Sequence, residues 1–500
     1  MSISTGLVTG ALLAGYARSH RRLTGIDDLR AVQMRMLRRT VEANTTTWFG
    51  RHHDFARLRS GADYRAAVPV SGWDDLAPTI DRVAAGEPGV LTTEPVRLLE
   101  PSSGSTAATK LIPYTAGLLW QFRAGLQPWL FDLYTRHRGL GRGRSYWSAT
   151  PAATHPRGDT VVPIGFEQDT DYLGPLAARL MGTVFAVGPE VARAATMDEF
   201  RRRTATGLLA AADLRLISVW NPTFLTVLLD WLVDHHTEVL DGLPPARRRR
   251  VAAAVTARDW PTIWPDLQVI SCWADAQAAG PAADLARFFP RATVQPKGLL
   301  ATEAMISLPL TAAGGAVLAA RSHVVEFLAG DGHCRWADEV EVGERYEVVV
   351  TTAGGLYRYR LGDLVEVTGR HGTLPVLRFV GRADKVSDLV GEKLNEAFVA
   401  DCLAELGITG FAMLAPDTDP TPHYVLYAER ADQQVAARLD AALRASFHYD
   451  YARRLGQLGP VRPVVVGPDA RQRYLDARVA AGMRLGDVKV PALDTDGRPV

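Results

Sequence analysis

Cysteine is scarce in this sequence, and the three that occur, Cys272, Cys334 and Cys402, lie far apart without a CxxC pair. This spacing indicates neither a disulfide framework nor a zinc ribbon, and a reducing cytoplasm is the simplest compartment. Long hydrophobic runs are missing as well. The apolar run 7–17 is shorter than the ~20 residues that cross a bilayer, so we expect it to form a helix packed on the body of the protein and predict no membrane partner.

The sequence also lacks an excess of charge of either sign, because 56 basic and 55 acidic residues give a net charge of +1. A protein whose affinity for nucleic acid depends on neutralising phosphates would carry a basic excess, so we expect no nucleic-acid partner. Apolar residues make up 47% of the 500 residues. This length and composition predict a large core divided among two to four domains.

Lysine is rare, since arginine accounts for all but five of the 56 basic residues. The five are Lys110, Lys297, Lys385, Lys393 and Lys489. A genomic preference for arginine explains the imbalance, but it also makes each remaining lysine informative. Lysine provides a compact ammonium on a flexible stem, which the planar fork of arginine cannot replace.

The alternation of apolar segments predicts an α/β fold. The first hundred residues are typical of helices and loops, with a helix over 27–45. Further along, short strands alternate with helices, which favours mixed sheets covered by helices. The predicted strands are 161–166, 214–220, 267–273, 346–353 and 376–380, and the predicted helices are 224–234 and 284–289.

After Gly381 the pattern restarts on a smaller scale. It predicts helices over 393–406 and 432–446 and strands near 410–415 and 424–429. We therefore expect a large N-terminal domain of mixed sheets covered by helices. A smaller α+β C-terminal domain follows, joined to it by a hinge. The predicted domains are 1–381 and 382–500.

A polar loop stands out at residues 102–110, which read Ser-Ser-Gly-Ser-Thr-Ala-Ala-Thr-Lys. Phosphate oxygens are strong acceptors that bind backbone N–H groups, hydroxyls and a mobile ammonium, and this loop supplies all three. It is not the GxxxxGK[ST] pattern, so P-loop chemistry does not follow. Taken alone, the segment could equally be a polar surface turn.

Two further segments could carry nucleotide chemistry. Residues 297–303 read Lys-Gly-Leu-Leu-Ala-Thr-Glu, and a Thr-Glu pair after a strand either holds Mg²⁺ or begins a helix. Residues 355–363 read Gly-Leu-Tyr-Arg-Tyr-Arg-Leu-Gly-Asp, and the final carboxylate could accept the two hydroxyls of a ribose or form an ordinary turn.

Together these segments resemble the acyl-adenylate-forming superfamily. More narrowly, the chain resembles the auxin-responsive Gretchen Hagen family of acyl acid–amido synthetases and its bacterial relatives. The narrower resemblance extends from about residue 35 to 495. It rests on five segments in order, 45–55, 63–92, 102–115, 297–304 and 355–367.

The resemblance implies roles for individual residues. The phosphate-binding loop would consist of Ser102, Ser103, Gly104, Ser105, Thr106 and Lys110. Thr302 and Glu303 match the motif whose acid holds Mg²⁺. Tyr359, Gly362 and Asp363 match the nucleotide motif whose Asp accepts the ribose hydroxyls.

The remaining roles concern the hinge and the C-terminal domain. Arg382 resembles an arginine that also reaches the nucleotide, and Lys385 occupies the hinge position about which the small domain rotates. Lys489 resembles the lysine that meets the carboxylate and the α-phosphate. The resemblance thus implies that Lys489, Lys110 and Glu303 are catalytic, whereas Lys297 and Lys393 receive no role.

The resemblance implies a ligase that uses ATP and Mg²⁺ to activate a small carboxylic acid as an acyl-adenylate. An amine, that of an amino acid, would then attack the mixed anhydride to form an amide. Two alternatives remain open. Thioester formation with coenzyme A begins with the same adenylate, and a nucleotide-binding pseudoenzyme would perform neither step.

The substrate pocket is less well marked. Residues 116–134 predict a helix pair near the phosphate loop. Candidates to line an acyl pocket there, or else to pack in the core, are Trp120, Phe122, Gln127 and Trp129.

The sequence also departs from the plant members, which carry Gly-Gly at Ala107-Ala108 and Tyr at Leu299. Trp273 could take over stacking on adenine, or it could pack in the core.

Overall fold

A computed structural model describes most of the chain. The described residues are 3–102, 110–148, 160–165, 184–188, 191, 194, 196–383, 386–387, 389–390, 392, 394–454, 458–480, 483 and 488–495. The helices in this part are α1 (Ile3–Thr24), α2 (Leu29–Ala43), α3 (Trp48–His52), α4 (Gly61–Ala67), α5 (Trp73–Ala84), α6 (Ala116–Arg136), α7 (Met197–Ala210), α8 (Pro222–Asp234), α9 (His236–Asp241), α10 (Pro245–Thr256), α11 (Trp260–Ile263), α12 (Ala279–Phe288), α13 (Glu396–Glu405), α14 (Gln433–Leu443), α15 (Phe447–Arg454) and α16 (Ala470–Ala480). None of these helices is long and apolar enough to cross a membrane.

The strands of the described part form five sheets, and with the helices they confirm the predicted mixed α/β class. The strands are β1 (Leu98–Ser102), β2 (Lys110–Tyr114), β3 (Arg144–Trp147), β4 (Leu214–Ser218), β5 (Val269–Cys272), β6 (Thr293–Pro296), β7 (Ser307–Leu310), β8 (Gly315–Leu318), β9 (Val324–Leu328), β10 (Cys334–Trp336), β11 (Arg345–Thr351), β12 (Tyr359–His371), β13 (Leu374–Arg382), β14 (Val386–Ser387), β15 (Leu394–Asn395), β16 (Ala412–Asp417), β17 (His423–Ala428) and β18 (Arg462–Val465).

The largest sheet is antiparallel and has seven strands in the order β10-β9-β11-β12-β13-β8-β7. Its inner face joins the largest apolar cluster, which also includes buried side chains of α2, α5 and α6. Gln33 of α2 is buried, and its amide donates to the carbonyl of Ala320 at 2.7 Å. A buried hydrogen bond therefore holds the helix in place in addition to apolar packing.

A second sheet is parallel and has the order β3-β4-β5-β6, with every pair in parallel register. The predicted strands over 214–220 and 267–273 are confirmed as β4 and β5, and the predicted helices as α8 and α12. Because all four strands run the same way, their carboxyl ends lie at one edge. That edge is where ligands bind in open parallel sheets.

The C-terminal elements build a smaller sheet, β16-β17-β18, covered by α13 and α14, as the α+β prediction required. The final described segment, 488–495, adds to this sheet: Leu414 N donates to Ala492 O at 2.8 Å, and Asp494 N donates to Leu414 O at 2.9 Å. Val488 and Val490 nevertheless pack in the apolar cluster of the parallel sheet, so this segment contacts both parts of the chain.

Two local predictions were wrong. Residues 161–166 are not a strand in their described part, 161–165, where Ile164 makes only an isolated bridge to Leu99. Pro163 has no N–H and cannot extend a ladder there. The predicted helix pair is a single helix, α6, which continues through Pro128. Buried side chains on both sides of Pro128 hold the helix together despite the missing hydrogen bond.

Candidate functional site

A tight turn presents Thr302 and Glu303. The backbone folds back so that Ala301 N donates to Ala304 O at 2.9 Å, which leaves Thr302 and Glu303 as the two central residues. Gly298 opens this segment at φ +74°, and a Cβ there would meet Ser307 O at 2.8 Å, so only glycine fits. The turn therefore holds the Thr-Glu pair rather than beginning a helix.

Glu303 is a buried carboxyl group in a charged neighbourhood. Burial is the main cause that raises the pKa of Glu303, and the nearby Asp363 carboxylate raises it further. Arg382 and Lys110 act in the opposite direction because both are cations. The four groups are thus close enough to influence one another, although they come from distant parts of the sequence.

Asp363 is positioned by the hairpin of β12 and β13. Its strand register sets Asp363 opposite Arg382, and Arg382 Nη1 donates to Asp363 Oδ1 at 3.1 Å. Gly362 precedes it at φ +77°, and Gly362 O accepts from Ala383 N at 2.7 Å. Asp363 is 6% exposed, so the arginine compensates a charge that would otherwise be costly to bury.

Lys110 begins β2, directly opposite Ser102 at the end of β1. The segment between these strands, with Ser103, Gly104, Ser105, Thr106 and the Ala107-Ala108 pair, lies outside the described residues. The hydroxyl of Tyr114 on β2 donates to the carbonyl of Thr302. This bond joins the hairpin that bears the polar loop to the Thr-Glu turn.

The structure therefore brings together four of the predicted site residues: Lys110, Glu303, Asp363 and Arg382. Tyr359 is placed differently, since it is 1% exposed and belongs to the apolar core. Leu299, at the position of the plant tyrosine, is buried in the same core. Lys385, the predicted hinge residue, lies outside the described residues.

Lys489 reaches the N-terminal part of the chain. Its Nζ lies 4.0 Å from the ring centre of Trp273 and 5.2 Å from that of Phe379. The adjoining Val488 O accepts a hydrogen bond from the amide of Asn221 at 2.5 Å. Trp273 thus supports an ammonium group in this arrangement, at the carboxyl edge of the parallel sheet.

The four α6 candidates do not gather in one pocket. Trp120 is 59% exposed, and Gln127 accepts from Ser19 of α1 at 2.6 Å on another side of the helix. Phe122 is buried in the core, stacked on Tyr114 at 5.9 Å between ring centres. These positions point in different directions because successive helical residues are rotated by about 100°. Trp129 is the exception, since it faces the edge of the parallel sheet.

Trp129 takes part in a cluster that sequence reasoning missed. Lys297, at the end of β6, is 5% exposed and its Nζ donates to Ser218 Oγ at 2.6 Å. Three indole rings surround this ammonium, with their centres 4.8 Å (Trp129), 5.4 Å (Trp147) and 4.8 Å (Trp220) from Nζ. The rarity of lysine was the one sequence signal that marked this position.

The described carboxylates fit a magnesium ion held together with a nucleotide. Among the described residues no group of three or more His, Cys, Asp or Glu side chains could hold a metal alone. Mg²⁺ commonly takes one or two carboxylates and completes its shell with phosphate oxygens and water. Glu303, buried beside Asp363 and Lys110, provides such a partial site.

Comparison with protein-family models places three matches along the chain. They are the GH3 family N-terminal domain over 24–244, the GH3 family central domain over 317–382 and the GH3 family C-terminal domain over 392–497. Together they cover most of the sequence and include Asp363, Arg382 and Lys489.

Curated relatives and solved structures agree with these family matches. The chain is 25% identical to "Probable indole-3-acetic acid-amido synthetase GH3.12" of Oryza sativa subsp. japonica, over 96% of this chain and 92% of the relative. It is also 25% identical to "Indole-3-acetic acid-amido synthetase GH3.8" of Oryza sativa subsp. indica, over 97% and 92%. The fold matches the AtGH3.15 acyl acid amido synthetase in complex with 2,4-DB at a TM-score of 0.83, with 19% identity over 97% and 94% of the two chains.

A more distant fold match is 2-hydroxyisobutyryl-CoA ligase in its postadenylation state, with a TM-score of 0.53, 16% identity and coverage of 88% and 86%. Fold and relatives together define the class: the protein is a ligase that activates an acyl acid as an adenylate and forms an amide bond. The chain belongs to the GH3 family.

Proposed function

We propose that the protein uses ATP and Mg²⁺ to activate a small carboxylic acid and transfers the acyl group to the amine of an amino acid. The observation that carries this proposal is the convergence of Lys110, Glu303, Asp363 and Arg382 from four separate segments. Two buried carboxylates and two cations in one place are typical of a binding site for a nucleoside triphosphate. They are not typical of an apolar core.

Each of these residues has a part that follows from its chemistry. Asp363, oriented by Arg382, accepts hydrogen bonds from the two ribose hydroxyls. Lys110 and the loop Ser102 to Thr106 bind phosphate oxygens, with Thr302 and Gly362 shaping the surrounding backbone. Glu303 would hold Mg²⁺, which would neutralise phosphate charge.

Lys489 supplies a positive charge where the incoming carboxylate meets the α-phosphate. Its ammonium stands on the faces of Trp273 and Phe379, at the end of a segment anchored to the C-terminal sheet. A domain boundary at 381/382 with a hinge at Lys385 lets this lysine approach for adenylation and withdraw for the second step. Little acid–base catalysis is needed, because AMP is a good leaving group and positioning lowers the barrier.

The acceptor is the point at which related ligases differ. Amide and thioester formation share the adenylate, so the nucleotide residues do not discriminate between them. The relatives whose names specify amido synthetases support an amine acceptor. By the same names, indole-3-acetic acid is one acid to include among those tested, and the amino acid is to be found by screening.

We expect the purified protein, given an acid, ATP, Mg²⁺ and a mixture of the proteinogenic amino acids, to form an amide and AMP. Coenzyme A in place of the amino acids should yield no more thioester than a reaction without enzyme. Mass spectrometry of the products measures both. Thioester without amide would replace the proposal with the acyl-CoA ligase alternative, and no ATP consumption with a broad acid set would support the pseudoenzyme alternative.

A further inference from the structure

A donor-rich cluster lies at the carboxyl edge of the parallel sheet, and none of the proposed nucleotide contacts uses it. We call it the Lys297 cluster; it consists of Lys297, Ser218, Gln295 and the three indole side chains of Trp129, Trp147 and Trp220. We propose that Lys297 and the indole N–H of Trp147 bind a second carboxylate on the acyl substrate, so that the protein selects dicarboxylic acids. This inference rests on the proposed function for the reacting end of the acid.

The first observation is a buried cation without a counter-ion. In the part of the chain that the structure describes, no carboxylate lies within ion-pair distance of Lys297, whose ammonium has Ser218 Oγ as its hydrogen-bond partner. Aromatic faces stabilise a buried ammonium only modestly, whereas burying an unpaired charge is costly. A ligand carboxylate would supply the missing charge.

The second observation is an excess of hydrogen-bond donors around this ammonium. Trp147 Nε1 is buried and has no partner among the described residues. Gln295 Oε1 already accepts from Trp129 Nε1 at 3.0 Å and from Ser271 Oγ at 3.4 Å, so both of its lone pairs are occupied and it is not a further acceptor for this ammonium. The Lys297 ammonium and the Trp147 indole N–H are therefore two donor groups that an oxygen-rich anion could accept from.

Protonation of the lysine supports the same conclusion. Burial lowers the pKa of Lys297 to about 7, and Cys272 is the titratable group that acts against this shift. The amine is therefore partly neutral near neutral pH when no anion is present. A bound carboxylate would raise the pKa of Lys297, because an opposite charge nearby favours the charged form.

The position of the cluster indicates which end of the substrate it binds. Lys489, assigned to the reacting carboxylate, stands on Trp273, and the ring centre of Trp220 lies 6.2 Å from that of Trp273. The Nζ of Lys297 lies 4.8 Å from the ring centre of Trp220. Each ammonium group thus contacts one of two neighbouring indole rings. This arrangement suits an acid with charge at both ends and an apolar body between them.

The test compares acids that differ only in the distal carboxylate: hexanoate with adipate, benzoate with terephthalate, and cinnamate with 4-carboxycinnamate. Acid-dependent pyrophosphate release gives kcat/KM for each, and the ratio within a pair measures selection for the second carboxylate. We expect the wild-type ratio to favour the dicarboxylate by at least about tenfold in one or more pairs, as a charged hydrogen bond predicts.

Three variants separate ligand binding from a structural role. Lys297→Met should lower the ratio by about 10–100-fold, and Trp147→Phe, which keeps an aromatic ring and removes the N–H, by about 2–10-fold. Ser218→Ala removes the hydroxyl that accepts from Lys297, but it leaves the two groups that would donate to the ligand, the Lys297 ammonium and the Trp147 N–H. The ratio of kcat/KM within a pair should therefore stay at its wild-type value. If Lys297→Met does not fold, the ratio measured for Trp147→Phe decides the test.

Two results would overturn the inference. One is a wild-type enzyme that uses monocarboxylic acids better in every pair; the other is an equal loss for both members of a pair in Lys297→Met or Trp147→Phe. In both cases pyrophosphate release with monocarboxylic acids leaves the proposed function standing. If no acid of any kind supports release, the proposed function itself fails, and the inference with it.

Discussion

Replacing Lys489 with alanine is expected to lower the rate of acyl-adenylate formation by ~10²–10³-fold, the usual cost of removing one preorganised cation from a transition state. Negative charge builds at the α-phosphorus while the carboxylate brings another, and the Lys489 ammonium stands at this edge of the sheet. The second step should be spared, because in the proposed mechanism the C-terminal domain rotates about its hinge and carries Lys489 away. Pyrophosphate release measures the first step, and amide formation from a supplied acyl-adenylate measures the second.

Two further variants sharpen this experiment. Lys489→Arg should restore little activity, because the planar fork of arginine does not replace a compact ammonium. Arg462→Ala is the matched control, since it removes an exposed cation from β18 of the same domain and should leave both steps at the wild-type rate. Equal losses in both steps for Lys489→Ala would contradict its assignment to adenylation.

The second large effect is expected at Asp363. The change Asp363→Asn keeps the shape of the side chain and removes the charge, so ATP binding should weaken. A hydrogen bond to a charged group contributes about 1.5–3 kcal/mol, which corresponds to roughly 10–100-fold in affinity. Calorimetric titration of the folded variant with ATP measures the change directly.

Glu366→Gln provides the control for Asp363. Glu366 lies three residues further along β12 and pairs with Arg378 at 2.9 Å, so this variant also removes a paired carboxylate from the same strand. Its ATP affinity should equal that of the wild type. An unchanged affinity in Asp363→Asn would remove Asp363 from the nucleotide site.

Some of this organisation could be predicted from the sequence because it is local. The parallel strands β4 and β5 and helices α8 and α12 follow from apolar runs of suitable length and period. The segments of the site also stand out in the sequence, since each combines polar groups with glycine after an apolar run. What the sequence could not show is that Glu303, Asp363 and Lys110 would meet, which depends on tertiary packing.

Other features depended on neighbours that a sequence does not reveal. The apolar run at 161–166 reads as a strand, but Pro163 and the single bridge at Ile164 leave it outside any sheet. In α6 an aromatic stripe marked Trp120 as readily as Trp129, although only Trp129 faces the Lys297 cluster. Lys297 itself was conspicuous only by the rarity of lysine, because its three indole partners come from separate segments.

The central claim is that the acid is activated as an adenylate, and the fate of the carboxylate oxygen tests it most directly. In that reaction a carboxylate oxygen attacks the α-phosphorus and pyrophosphate leaves; the amine then attacks the acyl carbon, and AMP departs with the former carboxylate oxygen. With an acid labelled with ¹⁸O in its carboxylate, mass spectrometry should therefore find AMP that carries one ¹⁸O atom and pyrophosphate that carries none. Label in inorganic phosphate together with ADP, or AMP without label, would contradict the account.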